Sequence, residues 1–144
     1  MPATLASESK IDASHRASSI SAINDRLVPK DENDRSLPYY HWWPKQGTTE
    51  WITYEFPAEA TVSSSTVYWF DDEPWGGCRV PQSWKLYYKD EQGGWTPVSA
   101  AGTYGTKKGV PNTVEFTLVQ TTAMKLEVVL PKDNSAGVFE WEVE

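Results

Sequence analysis

Residues 124–130 read MKLEVVL, and their spacing decides the class of fold. Met124, Leu126, Val128 and Leu130 recur at every second position, with Lys125, Glu127 and Val129 between them. A period of two belongs to a strand with one face on a core and the other towards water. The pattern repeats elsewhere. Ile52, Tyr54 and Phe56 alternate with Trp51, Thr53 and Glu55, and Val114, Phe116 and Leu118 alternate with Thr113, Glu115 and Thr117. Phe139, Trp141 and Val143 alternate with Val138, Glu140 and Glu142. Gly, Pro, Asn and Asp clusters separate these runs, and no segment of ordinary helix length shows the 3.6-residue period. The expectation is an all-β, antiparallel β-sandwich or jelly roll.

The chain has 144 residues, the length of one domain, enough to bury roughly 68–70% of its unfolded surface without a covalent staple. Cys78 is the only cysteine, which excludes an internal disulfide, a CxxC redox centre and an all-thiolate metal site. Thirteen basic against twenty acidic side chains give a net charge of -7. That balance disfavours nucleic acid and anionic membranes as partners. No apolar run approaches the ~20 residues of a membrane-spanning helix. Residues 1–20 are small and polar and read as a flexible lead-in, which leaves 21–144 as the β-domain. Met1 to Glu8 lacks the layout of a signal peptide and reads as an initiator methionine on a piece of something longer. Between Asn24 and Pro44 the chain is rich in proline and carries the run Lys30-Asp31-Glu32-Asn33-Asp34-Arg35. A long loop of this kind is usually functional, metal-clamped or disordered.

Catalytic signatures are missing. There is no G-x-S-x-G, no HExxH, no phosphate-binding loop and no glycine-rich dinucleotide turn. Asp71 and Asp72 are adjacent, but neighbours on an extended chain point opposite ways and do not form an acid/base couple by spacing alone. His15 and His41 show no metal-ligand spacing. A Cys78–His41 pair would have to meet in space, since nothing local supports it, and Cys78 reads as a small packed residue.

Aromatic residues are the stronger signal, with eight tryptophans, seven tyrosines and four phenylalanines. Trp51, Trp69, Trp84 and Trp141 lie in strand-like runs and read as core. Trp42, Trp43 and Trp75 lie in loop sequence beside Pro or Gly, as core lids or as flat plates for a sugar ring. The loop DDEPWGGCRV (71–80) holds Trp75 as a plate, Asp71 and Asp72 as acceptors and Arg79 as a donor. Gly76 and Gly77 would let the backbone turn sharply and approach a ligand closely. An apolar floor with a few placed polar groups suits a neutral polyol.

Taken together, AINDRLVP, WWPKQGTTEWITYEF, STVYWFDD, VPQSWKLYYKDEQGGWTPV, MKLEVVL and SAGVFEWEV resemble a discoidin-like (factor V/VIII type C) domain, over residues ~20 to 144. The pieces CRVPQSW and SAGVFEW are similar to modules attached to bacterial glycoside hydrolases, including β-L-arabinofuranosidase-type enzymes. The resemblance implies an eight-stranded, galactose-binding-like jelly roll whose loops at one end take a carbohydrate. It also implies a structural calcium near the meeting of the chain's beginning and end, with Asp25 and Glu140 on the ligand positions. Oxygen donors of this type suit a hard cation. Two departures stand out: Arg26 occupies a position often held by Gly, and no clear Thr precedes the first tryptophan at the customary spacing.

The leading expectation is therefore a non-catalytic carbohydrate-binding module. It would bind a neutral, plant-type glycan through Trp43, Asp71, Asp72, Trp75 and Arg79, in a secreted, periplasmic or cell-surface glycoside hydrolase. The alternative is a structural β-sandwich that packs on a neighbouring catalytic domain, with the loop tryptophans at the interface.

Overall fold

Two long strands organise the molecule in the computed structural model, which describes residues 1–16 and 19–144. Among these residues the strands are β1 (Lys10–Ala13), β2 (Tyr40–His41), β3 (Thr49–Phe70), β4 (Ser83–Lys89), β5 (Trp95–Pro97), β6 (Asn112–Val129) and β7 (Gly137–Val143). One short 3-10 helix spans Ile20–Asn24. β3 and β6 run antiparallel along their length, with register shifts between Glu55 and Ala60 and between Val62 and Ser64. Those irregularities divide each strand between two layers. The first half of β3 and the second half of β6 belong to a layer ordered β1-β3-β6-β4-β5. Their other halves join β7 and β2 in a layer ordered β2-β7-β3-β6. The protein is an all-β antiparallel sandwich, as its alternation requires. The described strands number seven rather than the eight that the resemblance implies, and β3 and β6 each pass unbroken through both layers.

The core lies between the layers. Ile52, Tyr54, Trp84, Leu86, Met124, Leu126 and Val128 face it from one side, and Val67, Trp69, Val138, Trp141 and Val143 from the other. Tyr54 stacks on Trp141 with ring centres 4.1 Å apart, and its hydroxyl donates to the Trp141 carbonyl at 2.7 Å.

Four expectations are corrected here. The segment read as a loose lead-in contributes to the fold: Lys10–Ala13 pairs with Glu55–Ile52, and Ala6 and Ala13 are buried in the core. Ala17 and Ser18 of that segment lie outside the described residues. Leu118 is 63% exposed, because residues 116–118 oppose the single Ser63 at the second register shift, and a bulge there breaks the alternation. In β7, Tyr68 opposes Glu140 while Trp69 opposes Val138, which leaves Phe139 as the extra residue. Val138 therefore joins Trp141 and Val143 inside, and Phe139 turns outward to Phe70 and Cys78. Finally, Trp51 is not core. It stands half-exposed on the outer face of its layer, opposite Glu127.

Candidate functional site

The end of the β2-β7-β3 layer forms a recess of about 210 Å³ lined by Tyr39, His41, Trp43, Phe70, Asp72, Gly77 and Cys78. Strand periodicity explains most of this wall. Tyr40 and Trp42 are buried in the core, so Tyr39, His41 and Trp43 point the other way. Phe70 and Asp72 share a face in the same manner. His41 and Phe70 both pair with Gly137 of the strand between them. A side chain at Gly137 would press on the Phe70 ring and the Tyr40 carbonyl, so a bare backbone is needed there. Tyr39 stacks on Phe70 at 3.8 Å with an interplanar angle of 10°, and Phe139 meets Phe70 edge-on.

The 71–80 loop closes the recess, and its carboxylates hold it in shape. Asp71 is 1% exposed; its oxygens accept the Glu73 and Val80 amide N–H groups at 3.0 and 2.9 Å. Asp72 Oδ1 accepts the Cys78 N–H at 2.8 Å, while the Gly76 N–H donates to the Asp72 carbonyl. Arg79 lies mostly beneath the loop, where one guanidinium nitrogen donates to the carbonyls of Gly76 and Cys78 at 2.8 Å each. Lys108, from a separate loop, reaches Glu73 at 3.0 Å and Asp71 at 3.5 Å. Asp71 and Arg79 are thus occupied in building the loop. Asp72 both braces it and borders the recess.

Both glycines make close approaches, but to this chain itself. A side chain at Gly76 would strike the Asp72 carboxylate, and one at Gly77 would enter the Trp43 indole. Gly77 therefore seats the Trp43 ring. Trp43 remains 45% exposed at the rim, and Trp75, at the loop's tip, is 91% exposed. Trp42, the third loop tryptophan, is buried edge-on against Tyr40 and presents no plate.

Two lining residues, His41 and Tyr39, and the neighbouring Arg35 carry signals that motif spacing alone did not expose. His41 is half-buried with no partner on Nδ1, and burial, reinforced by His15, lowers its pKa and favours the neutral ring. A neutral imidazole offers one donor and one acceptor. Arg35 lies over the Tyr39 and Phe70 rings at 5.7 and 5.5 Å, and its side chain is 57% exposed at the edge of the recess. Tyr39 anchors it through a 3.2 Å hydrogen bond. The alternation of Tyr39-Tyr40-His41-Trp42-Trp43 was the available clue. Cys78 and His41 do meet in the same recess. Burial, with the Asp72 charge second, pushes the thiol up to about 12, so it is a packed thiol and not a thiolate nucleophile.

Asp25 and Glu140 also come together. Asp25 caps the 3-10 helix, and the Arg26 N–H that follows it donates to Glu140 Oε1 at 3.1 Å. Arg26 takes a φ of 68°, the left-handed region that glycine enters without steric cost and an arginine does not. Glu140 is fully buried, and no donor reaches its Oε2 or the buried Oε2 of Glu142. Burial, with Glu142 and Asp25 adding their charges, pushes the Glu140 carboxyl up to about 11. Among the described residues no three His, Cys, Asp or Glu side chains form a ready metal cluster. A cation here would need backbone oxygens beside the carboxylates. An all-oxygen donor set of this kind is what a hard ion such as calcium takes, and the ion would have to displace the proton that burial leaves on Glu140.

No family model matches the sequence. The fold nevertheless has clear counterparts among solved structures. A chain of the Streptococcus pneumoniae beta-galactosidase BgaA superposes with a TM-score of 0.77 at 18% identity, over 94% of this chain and 90% of that one. A CBM32 carbohydrate-binding module from Clostridium perfringens, in complex with GalNAc-beta-1,3-galactose, gives 0.70 at 16% identity over 99% of each chain. Chitosan-binding module 1 of a Paenibacillus sp. IK-5 chitosanase/glucanase gives 0.62 at 17% identity, again over 99% of each. The class that this architecture defines is the discoidin-like β-sandwich. What is shared at these identities is the fold.

Proposed function

We propose that this protein is a non-catalytic carbohydrate-binding module that takes a neutral glycan in the recess at the end of the β2-β7-β3 layer. The observation that carries this reading is the exposure of Trp43 and Trp75 beside a recess with polar walls. Trp43 lines the recess and Trp75 tips the loop that closes it, so both indoles are left in water where a ligand could cover them. Trp43 and Trp75 supply apolar faces for the C–H side of a sugar ring. His41, Asp72 and Arg35 read its hydroxyls with donors and acceptors of fixed direction. A neutral ligand suits a recess whose acidic Asp72 lies close to two arginines, 3.8 Å from Arg35 and 3.7 Å from Arg79.

The likeness to modules of glycoside hydrolases supports attachment to such an enzyme. We propose further, on the sequence pieces CRVPQSW and SAGVFEW alone, a secreted, periplasmic or cell-surface parent of the arabinofuranosidase type acting on plant material. We further propose a structural calcium held by Asp25, Glu140 and nearby backbone oxygens. It would tie the start of the domain to β7, which pairs with β2 beneath the recess. A second reading, packing on a neighbouring catalytic domain, is favoured by the near-complete exposure of Trp75. The deciding experiment is a glycan panel with the protein, read by saturable change in tryptophan emission. Binding of a neutral glycan that is lost in Trp75→Ala supports the module. No saturable response, together with tight docking of a catalytic domain through Trp43 and Trp75, would overturn it.

A further inference from the structure

The eight tryptophans divide into three groups. Trp42, Trp69, Trp84 and Trp141 are in the core, and Trp43 and Trp75 stand at the recess. Trp51 and Trp95 belong to neither; both are half-exposed on the outer face of the β1-β3-β6-β4-β5 layer. We infer that this face is a second binding surface, suited to an extended anionic polysaccharide, and independent of the loop recess.

Register places the aromatic groups in line. Trp51 opposes Glu127, which opposes Lys85; Tyr87 lies two residues further along β4, and Trp95 opposes Lys89, two further again. Trp51, Tyr87 and Trp95 thus step diagonally across the layer. Strand spacing and rise put consecutive members roughly 12 and 8 Å apart. An extended sugar chain can lay successive rings on such a row. The charges beside the row are mostly positive. Lys10, Lys85, Lys89 and Lys125 share this face with Glu55 and Glu127, a surplus of two positive charges on a protein whose total is -7. The Asp12–Arg16 pair at its edge adds none. Lys125 Nζ sits 4.7 Å from the Tyr87 ring centre and 5.4 Å from that of Trp95, and Lys89 lies 5.9 Å from Trp95. These ammonium groups lie over the Tyr87 and Trp95 rings, with Lys125 also 3.9 Å from Glu127, so a sugar on the row meets cations seated on its aromatic groups. That suits uronate-type sugars, which combine a carboxylate with an apolar ring face.

The test is affinity electrophoresis of the whole protein through gels containing polygalacturonate, beside gels containing neutral galactan, at low and at physiological salt. Polygalacturonate should retard the protein at low salt, and added salt should relieve the effect. Lys85 and Lys89 are exposed, so K85E/K89E should fold normally and bind polygalacturonate roughly tenfold or more weakly. Trp51→Ala with Trp95→Ala should weaken it likewise. Trp75→Ala should leave it unchanged, whatever becomes of neutral-sugar binding at the recess. Absence of retardation by polygalacturonate, equal and salt-insensitive retardation by galactan, or loss in Trp75→Ala but not in K85E/K89E would each overturn the inference.

Discussion

In the metal-free protein, lowering the pH from 7 to 5 should raise the stability that depends on Glu140. The folded carboxyl, pushed up to about 11, keeps its proton across this window, whereas the unfolded one releases it above 4.5. The unfolded state then binds one proton fewer than the native state. Stability falls by about 1.4 kcal/mol for each pH unit between those values. The contribution is complete below the unfolded pKa and is lost as pH rises towards the folded one. Two units of acidification therefore restore at most about 2.7 kcal/mol. For a chain of this length each kcal/mol moves the Tm by roughly 2–4 °C, so the gain is at most about 5–11 °C. His41, whose pKa burial lowers, opposes this within the same window. Asp34 and Asp90, whose carboxyls are held low by hydrogen bonds led by Ser36 and Thr96, oppose it at more acid pH; comparison with Glu140→Gln removes all three. Calcium should reverse the trend, because it favours the ionised carboxylate. At ~100 times its Kd it adds about 2.7 kcal/mol of stability. The assay is scanning calorimetry at pH 5, 6 and 7, in excess chelator and in excess calcium, on the wild type and Glu140→Gln. In chelator the wild type should gain Tm on acidification relative to Glu140→Gln, and calcium should stabilise only the wild type. A chelator-treated wild type whose Tm tracks the variant from pH 7 to 5, or a Tm indifferent to calcium, would refute the reasoning.

Trp75→Ala should leave stability within about 0.5 kcal/mol, since the side chain is almost wholly in water. Removing one indole face of roughly 75–100 Å² should weaken sugar binding by about 2 kcal/mol, near 30-fold in a titration by calorimetry or NMR. Gly77→Ala drives a methyl into the Trp43 ring, and should cost about 1–3 kcal/mol of stability or displace the indole and reduce binding. Unchanged melting, unchanged binding and unchanged emission would contradict that packing. Cys78, with its thiol pushed up to about 12, should react with a thiol reagent slowly at pH 8 when folded and readily in denaturant. Fast native labelling would show that the loop opens. In Cys78→Ala, sugar affinity should stay within about threefold of the wild type.

Local alternation carried most of the fold. Ile52, Tyr54 and Phe56, and Met124 to Leu130, obey the period of two because the rest of the sandwich leaves only one face of each strand dry. The rule failed where an extra residue changed the register. Phe139 and Leu118 sit at bulges, and a bulge is set by how two distant strands pair, which the residues flanking it do not reveal. The same limit applied to the segment before residue 20: Ala6 and Ala13 look like linker until β3 offers them a partner. At the site, sequence singled out the 71–80 loop by composition. It could not tell which charges face outward. Asp71 and Arg79 turned inward because unpaired amides and carbonyls of the loop needed them, while Arg35 and His41 came to the recess from another strand and loop. The order of the residues determined that this protein would be a β-sandwich, and their composition that it would have aromatic residues to spare. Only the tertiary structure decided which of them meet water, because burial depends on the layer that lies opposite.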